Sequence, residues 1–173
     1  MKMFRMLAVI AAAMVVVAGV SYAEGGQAPA KPTESSAIRP IQLALAPTVE
    51  LVRQDESIQG LRLNIYGCNQ NVSGVDIGLM HETKGDFKGI GFGLLNIVYG
   101  ECRGLQFSGI YSGAEGRADA LQVGIVNHSA NIHGLQIGLA NFADDMTGFQ
   151  IGLWNEIKSK EQWNVIPIIN AAF

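Results

Sequence analysis

Apolar and polar residues alternate along most of this chain, and the alternation returns in copies of one eight-residue motif. In the copy Gly148–Asn155, with the sequence GFQIGLWN, the apolar residues Phe149, Ile151 and Leu153 occupy every second position. A period of two places these side chains on one side of an extended strand, whereas a helix needs apolar residues three and four positions apart. The pattern therefore predicts β-strands.

The motif occurs in seven copies, which follow one another at a spacing of 14 to 16 residues. The copies begin at Gly60, Gly74, Gly89, Gly104, Ala120, Gly134 and Gly148. Self-similarity at a short, nearly constant period is typical of repeat architectures. Together with a leading strand in Ile41–Val52 and a last one in Trp163–Phe173, the copies predict an all-β domain of about nine strands.

Two arrangements of these strand-turn repeats fit the period. Turn-forming clusters such as Asn69–Asn71 and Thr83–Asp86 separate the motifs, which favours an antiparallel meander that can close into a small barrel. The alternative is a β-solenoid, in which each repeat forms one coil and equivalent side chains stack in ladders. The meander is the preferred prediction. Ladders are favoured by five asparagines that end a segment, Asn96, Asn127, Asn141, Asn155 and Asn170.

One position of the motif carries a glutamine in four copies, Gln106, Gln122, Gln136 and Gln150. We expect the Leu and Ile side of each strand to be buried, which leaves the glutamines as a polar row on the other side. This row is a candidate interaction surface for glycans or for a strand edge, and the preferred alternative is that its amides bond to one another. A register of glycines indicates either close approach of a neighbouring segment or a barrel interior that must stay uncrowded: Gly78, Gly93, Gly124, Gly138 and Gly152.

The N-terminal residues predict export. Lys2 and Arg5 precede an apolar run over Met6–Val20, and small residues then allow cleavage after Ala23. The following segment is rich in Gly, Pro, Ser and Ala and has no periodicity, which indicates a flexible linker. The predicted parts are a signal peptide over residues 1–23, a linker over 24–40 and a β-repeat domain over 41–173.

Charge and cysteine content bear on two properties of the chain, nucleic-acid binding and disulfide formation. Without Lys2 and Arg5 the chain carries ten basic and fifteen acidic residues, and because it has no basic cluster we expect no nucleic-acid binding. Cys68 and Cys102 are the only cysteines. In an exported protein such a pair can form a disulfide, and the alternative is two unpaired small residues in turns.

No catalytic residue, cofactor site or metal site is predicted. His128 and His133 flank one turn, but a third and a fourth ligand with suitable spacing are missing, so both are interpreted as solvated turn residues. No serine lies in a nucleophile elbow, and Gly-x-Gly steps such as Gly89–Gly93 do not open a helix as a phosphate-binding loop would.

Four sequence features occur in a fixed order: Ile41–Leu45 (IQLAL), Ser57–Gly67 (SIQGLRLNIYG), the tandem GLQIGLxN-type repeats and the tail Pro167–Phe173 (PIINAAF). This ordered set, which covers about residues 40–173, resembles a family of bacterial surface-repeat proteins. The resemblance implies an exported, envelope-associated protein without a known activity, and it supplies no catalytic residues. The terminal Phe173 also resembles the sorting signal of bacterial outer-membrane β-barrels.

The expected function is therefore non-enzymatic. We expect a structural or interaction role for an exported protein at the outer membrane or cell surface, with the periplasm as the alternative location and no identified partner. The second hypothesis is a small outer-membrane β-barrel that binds or passes small solutes. Each motif spans only about 20 Å of strand, which is short for an apolar band about 25 Å tall.

Overall fold

The computed structural model describes residues 38–46, 49–50 and 54–173. The predicted signal peptide and most of the predicted linker lie outside the described residues. Strand β1 begins at Ile38, so the last three residues assigned to the linker already belong to the folded domain. The described residues form ten strands: β1 Ile38–Ala46, β2 Val49–Glu50, β3 Ser57–Asn69, β4 Val72–Thr83, β5 Phe87–Val98, β6 Cys102–Val123, β7 Val126–Ile137, β8 Ala140–Gly152, β9 Trp154–Ile157 and β10 Ile168–Ala172.

The strands stack in parallel as a β-solenoid of about seven coils. From β3 to β8 each strand pairs in parallel with the next, and β1 and β9 extend the parallel stack at its two ends. The prediction of an antiparallel meander with barrel closure was wrong, and the solenoid alternative is the observed fold. Each 14- to 16-residue repeat contains a full return path, so every motif runs in the same direction as the one before it.

Equivalent residues of successive coils lie opposite one another and form columns along the stack. The glycines that begin the motif make one such column, with Gly60 opposite Gly74 and Gly134 opposite Gly148. Their φ angles lie between 126° and 149°, a backbone conformation that only glycine adopts readily. A Cβ on Gly74 would collide with the carbonyl oxygen of Gly60, so the column also keeps the coils at hydrogen-bonding distance.

The variable repeat length is accommodated by irregularities in the pairing and by the length of one turn. The register between β5 and β6 shifts between Gly93 and Leu95, and the register between β6 and β7 shifts between Ala114 and Arg117. The repeat that begins at Gly104 is the 16-residue one. The extra residue of the repeat that begins at Gly74 lies in the turn between Thr83 and Phe87, because the pairing of β4 with β5 has no register shift. The columns continue on both sides of these points.

The interior contains two columns rich in apolar side chains and two columns of amide-bearing residues. The first apolar column is buried throughout and contains Ile58, Val72, Phe87, Cys102, Ala118, Ile132 and Met146. The second lies across the coil and contains Asn69, Thr83, Val98, Ala114, Ser129, Ala143 and Ile157.

The C-terminal segment closes one end of the stack. β10 runs antiparallel to β8 and places Ile169 opposite Ile151. The last residue, Phe173, packs edge-on against Phe149, with 5.3 Å between the ring centroids. Pro167 stands immediately before β10, where a missing N–H does not interrupt a ladder of hydrogen bonds. The last coil thus does not end in an open parallel edge over this stretch.

Candidate functional site

The four glutamines predicted as a row form a continuous column, but the column is inside the solenoid. Gln106, Gln122, Gln136 and Gln150 are at most 1% exposed. The Nε2 atoms of Gln122, Gln136 and Gln150 each donate to Oε1 of the glutamine one coil earlier, over 2.8, 2.9 and 2.8 Å. The interaction-surface hypothesis for this row was wrong, because side chains that are buried and bonded to one another cannot contact a glycan.

Asparagines form a second amide column, as the ladder hypothesis expected for Asn127, Asn141 and Asn155. Of the other two predicted members, Asn96 donates to Ser108 Oγ over 2.7 Å, and Asn170 stands opposite Gln150. Asn127 Nδ2 donates to Asn141 Oδ1 over 2.8 Å, and Asn141 Nδ2 donates to Asn155 Oδ1 over 2.7 Å. Each of these two side chains also donates to a backbone carbonyl oxygen, of Ile137 and Ile151 respectively. The asparagine column donates toward the C-terminus and the glutamine column toward the N-terminus, so the two rows of amide dipoles oppose each other.

The glycine register lies beside the asparagine column. A Cβ on Gly138 would meet the carbonyl oxygen of Gly124 and the side-chain amides of Asn127 and Asn141. The predicted close approach at this register is therefore confirmed. The absence of a side chain here lets the amides of adjacent coils reach one another.

A buried ionic cluster occupies the first coils of the glutamine column. Arg62 and Asp76 lie opposite each other at the position that later holds glutamine, and they are 0% and 1% exposed. Arg62 Nε donates to Asp76 Oδ1 over 2.8 Å, and Arg62 Nη2 donates to Asp76 Oδ2. Asn64 Nδ2 donates to Asp76 Oδ1 over 3.1 Å, and His81 Nδ1 lies 2.6 Å from the same oxygen.

The cluster keeps Asp76 ionised. Burial is the largest influence and by itself raises the pKa of this carboxyl, but the Arg62 charge and the hydrogen bonds from His81 and Arg62 outweigh it. The net result is a pKa below the usual value of 3.8. The three partners of Asp76, namely Arg62, Asn64 and His81, are also buried. The cluster is therefore part of the protein interior and does not face solvent.

This cluster is not among the sites predicted from the sequence, where Arg62, Asp76 and His81 are not singled out. The signal was present in the register of the motif, because Arg62, Asp76 and Gln106 all stand two residues after a motif glycine.

A small cavity of about 10 Å³ lies beside the cluster, where Gly91 interrupts the glutamine column. Asp76, His81, Asn96 and Gln106 contribute to its walls. The volume accommodates about one water molecule. It is far too small for an organic substrate.

No disulfide joins the two cysteines. Cys68 belongs to β3 and Cys102 begins β6, so β4 and β5 separate them by about three strand spacings, or ~14 Å. Burial raises the pKa of the Cys102 thiol to about 12. Of the two alternatives for these cysteines, the disulfide is not formed, because stacking moves each repeat one step further along the solenoid.

The apolar positions of the motif form one exposed side of the solenoid, which we call the aliphatic face. It comprises three columns of seven residues, none of them buried. The expectation that this side is buried was wrong, because the coil turns the glutamine side inward. The columns are Leu61, Val75, Ile90, Leu105, Leu121, Leu135 and Phe149; Leu63, Ile77, Phe92, Phe107, Val123, Ile137 and Ile151; and Ile65, Leu79, Leu94, Ile110, Ile125, Leu139 and Leu153.

The remaining surface is mostly polar and carries the other residues considered for chemistry. His133 is exposed, 3.8 Å from an Asp119 carboxylate oxygen, and Asp144 pairs with Lys158 over 2.6 Å. His128 lies in β7, in the column next to the asparagines, and is half-buried. Among the described residues, no group of three or more His, Cys, Asp and Glu side chains is placed to hold a metal ion.

No helix with the length and apolar character of a membrane span occurs in the part of the chain that the structure describes. Comparisons with known protein families, with curated proteins and with solved structures give no match.

Proposed function

We propose that this chain is a non-enzymatic, exported repeat protein with a structural or interaction role at the outer membrane or cell surface. The observation that carries the proposal is the aliphatic face: a side made only of Leu, Ile, Val and Phe, and left uncovered within the described residues. Soluble monomers rarely expose contiguous apolar patches above about 600 Å² unless the patch is functional. The glutamine and asparagine columns and the ionic cluster hold that face in place from inside.

The distribution of chemical groups supports a role without catalysis. The convergent titratable groups, Arg62, Asp76 and His81, are engaged with one another in the interior. The apolar columns outside carry neither nucleophile nor acid or base. Interaction through a repeated surface is the use that repeat folds most commonly make of such an array.

The location rests on the predicted signal peptide and on the resemblance to surface-repeat proteins. Expression of the full chain in a bacterial host with an outer membrane, followed by fractionation and N-terminal sequencing, tests it. We expect a chain that begins at Glu24 in the envelope fraction. Recovery of the unprocessed chain in the cytosol would refute the proposal, and release by an osmotic shock alone would place the protein in the periplasm.

A further inference from the structure

The size of the aliphatic face fits a protein interface. Its three columns span four residue steps, or about 13 Å between side-chain origins, and close to 20 Å with the side chains included. Seven coils at about 4.8 Å each give a height of about 34 Å. The face therefore offers about 700 Å² on one copy. Two such faces bury about 1,400 Å² in total, which lies within the range of about 1,200–2,000 Å² for stable complexes.

The face extends over the strands that cap the stack. Ile41 and Leu43 of β1 stand opposite Leu61 and Leu63, and both are about half exposed. At the other end Ile169 stands opposite Ile151 and is also exposed. The apolar columns thus continue beyond the seven motif copies, which enlarges the area available to a partner.

The only face-to-face pair of aromatic rings among the described residues lies at the centre of this face. Phe92 and Phe107 are stacked, with 5.0 Å between the ring centroids and 8° between the ring planes. They belong to the middle column and to the third and fourth of the seven coils, so they mark the geometric centre. Binding energy in protein interfaces concentrates in large side chains near the centre. A two-fold axis through this point would bring the pair against its own copy.

The surroundings of the face favour a protein partner over a lipid surface. The column along one edge contains Lys88 and Arg103 but also Asp119, and Arg103 is paired with Glu101 over 2.8 Å. Peripheral binding to anionic lipids depends on clusters of unpaired basic residues, and the chain has an acidic net charge.

We propose that the aliphatic face binds the same face of a second copy of this chain, in a symmetric dimer centred on Phe92 and Phe107. The proposal rests on the proposed function in one respect, namely that the face is an interaction surface. An isologous contact of this kind is self-complementary, because every residue of the patch serves both copies. It also closes the assembly, since the described residues of each copy form one such face.

Sedimentation equilibrium of the processed chain tests the proposal. We expect a dimer for the wild-type chain and for the control Gln70→Glu, which adds the same charge at an exposed turn away from the face. Phe92→Glu should raise the dimer dissociation constant at least about thirtyfold, the equivalent of a central contact worth ~2 kcal/mol. Circular dichroism and the melting temperature show whether Phe92→Glu keeps the fold. A monomeric wild type, or an unchanged dissociation constant in a folded Phe92→Glu variant, would overturn the proposal.

A cross-linking variant keeps the test decisive if Phe92→Glu does not fold. Oxidised Phe92→Cys should form a disulfide between two copies, whereas Gln70→Cys should not, and equal yields for both would contradict the symmetric contact.

Flotation with vesicles of phosphatidylethanolamine and phosphatidylglycerol tests whether the aliphatic face binds a lipid surface instead of a second copy. If the wild-type chain is a monomer that floats with the vesicles, and Phe92→Glu does not float, the dimer proposal is refuted. The proposed interaction role of the face would then still hold. Retention of the unprocessed chain in the cytosol would instead remove the proposed function itself.

Discussion

Arg62 and Asp76 form a buried, two-pronged ion pair in the same column in which Gln106 and Gln122 bond through their amides. Buried polar side chains in this column therefore obtain hydrogen-bond partners in two ways. The glutamine amides bond to identical amides of the next coil, since each has a donor and an acceptor. The ion pair satisfies its two side chains by charge complementarity, and Asn64 and His81 contact the same carboxylate at Oδ1.

The buried pair predicts that Asp76→Asn is strongly destabilising. The substitution removes the charge that compensates Arg62, and a buried charge that loses its partner typically costs about 3–5 kcal/mol. Urea unfolding at neutral pH measures the loss. The matched control is Asp144→Asn, which removes a carboxylate whose Lys158 partner is exposed and should leave the unfolding midpoint almost unchanged. Equal effects of the two substitutions would contradict the assignment.

The lowered pKa of Asp76 predicts how this stability depends on pH. Because the folded-state pKa lies below the unfolded value of about 3.8, the unfolded chain binds the proton first as the pH falls. The contribution of the ionised carboxylate is complete above that value and disappears as the pH falls through the folded-state pKa. The difference in unfolding free energy between wild type and Asp76→Asn should be constant above pH ~5 and shrink below it. A difference that does not change down to pH ~2 would refute this account.

The asparagine column predicts a penalty for Asn141→Leu. Asn141 accepts from Asn127 and donates to Asn155 and to the Ile151 carbonyl oxygen, so the change leaves buried polar groups without their partner. We expect a loss of about 1–3 kcal/mol. The control is Asn131→Leu, at an exposed position of β7, which should be nearly neutral. Thermal unfolding compares the two, and an unchanged melting temperature for Asn141→Leu would argue against the ladder.

Two glycines of β5 predict opposite responses to alanine. Gly89 has a φ of 149°, and a Cβ there would collide with the Gly74 carbonyl oxygen, so Gly89→Ala should cost at least about 1–3 kcal/mol. Gly91 faces the small cavity, and its nearest contact for a Cβ is Phe87 Cζ at 3.4 Å. Gly91→Ala should be neutral or stabilise by up to ~1 kcal/mol. Urea unfolding measures the stability of both variants. If Gly91→Ala were less stable than Gly89→Ala, this explanation would be excluded.

The buried cysteines predict slow thiol chemistry in the native state. With a pKa of about 12 and no exposure, Cys102 should not react with Ellman's reagent at neutral pH. In denaturant and without a reductant, two thiols per chain should titrate, because no disulfide joins Cys68 and Cys102. If no thiol titrates in the denatured, unreduced chain, the cysteines are bonded and the arrangement is different.

Strand formation and repeat spacing were accessible from the sequence because they are local properties. Alternation in Gly148–Asn155 requires an extended backbone whatever lies beside it, and the recurring glycines mark equivalent points of successive repeats. The candidate site was accessible only in part. The glutamine and asparagine registers were visible, whereas the contact between Arg62 and Asp76 depends on a neighbour fourteen residues away.

The sequence by itself determined that this protein is an all-β repeat, where each repeat begins, and which residues share a register. Only the tertiary structure decided that the repeats stack in parallel and that Gln136 points inward while Leu135 points outward. A period of two specifies two sides of a strand but not which of them is buried. That choice depends on stacking, because a buried glutamine is costly alone and acceptable when the next coil places an identical amide at hydrogen-bonding distance.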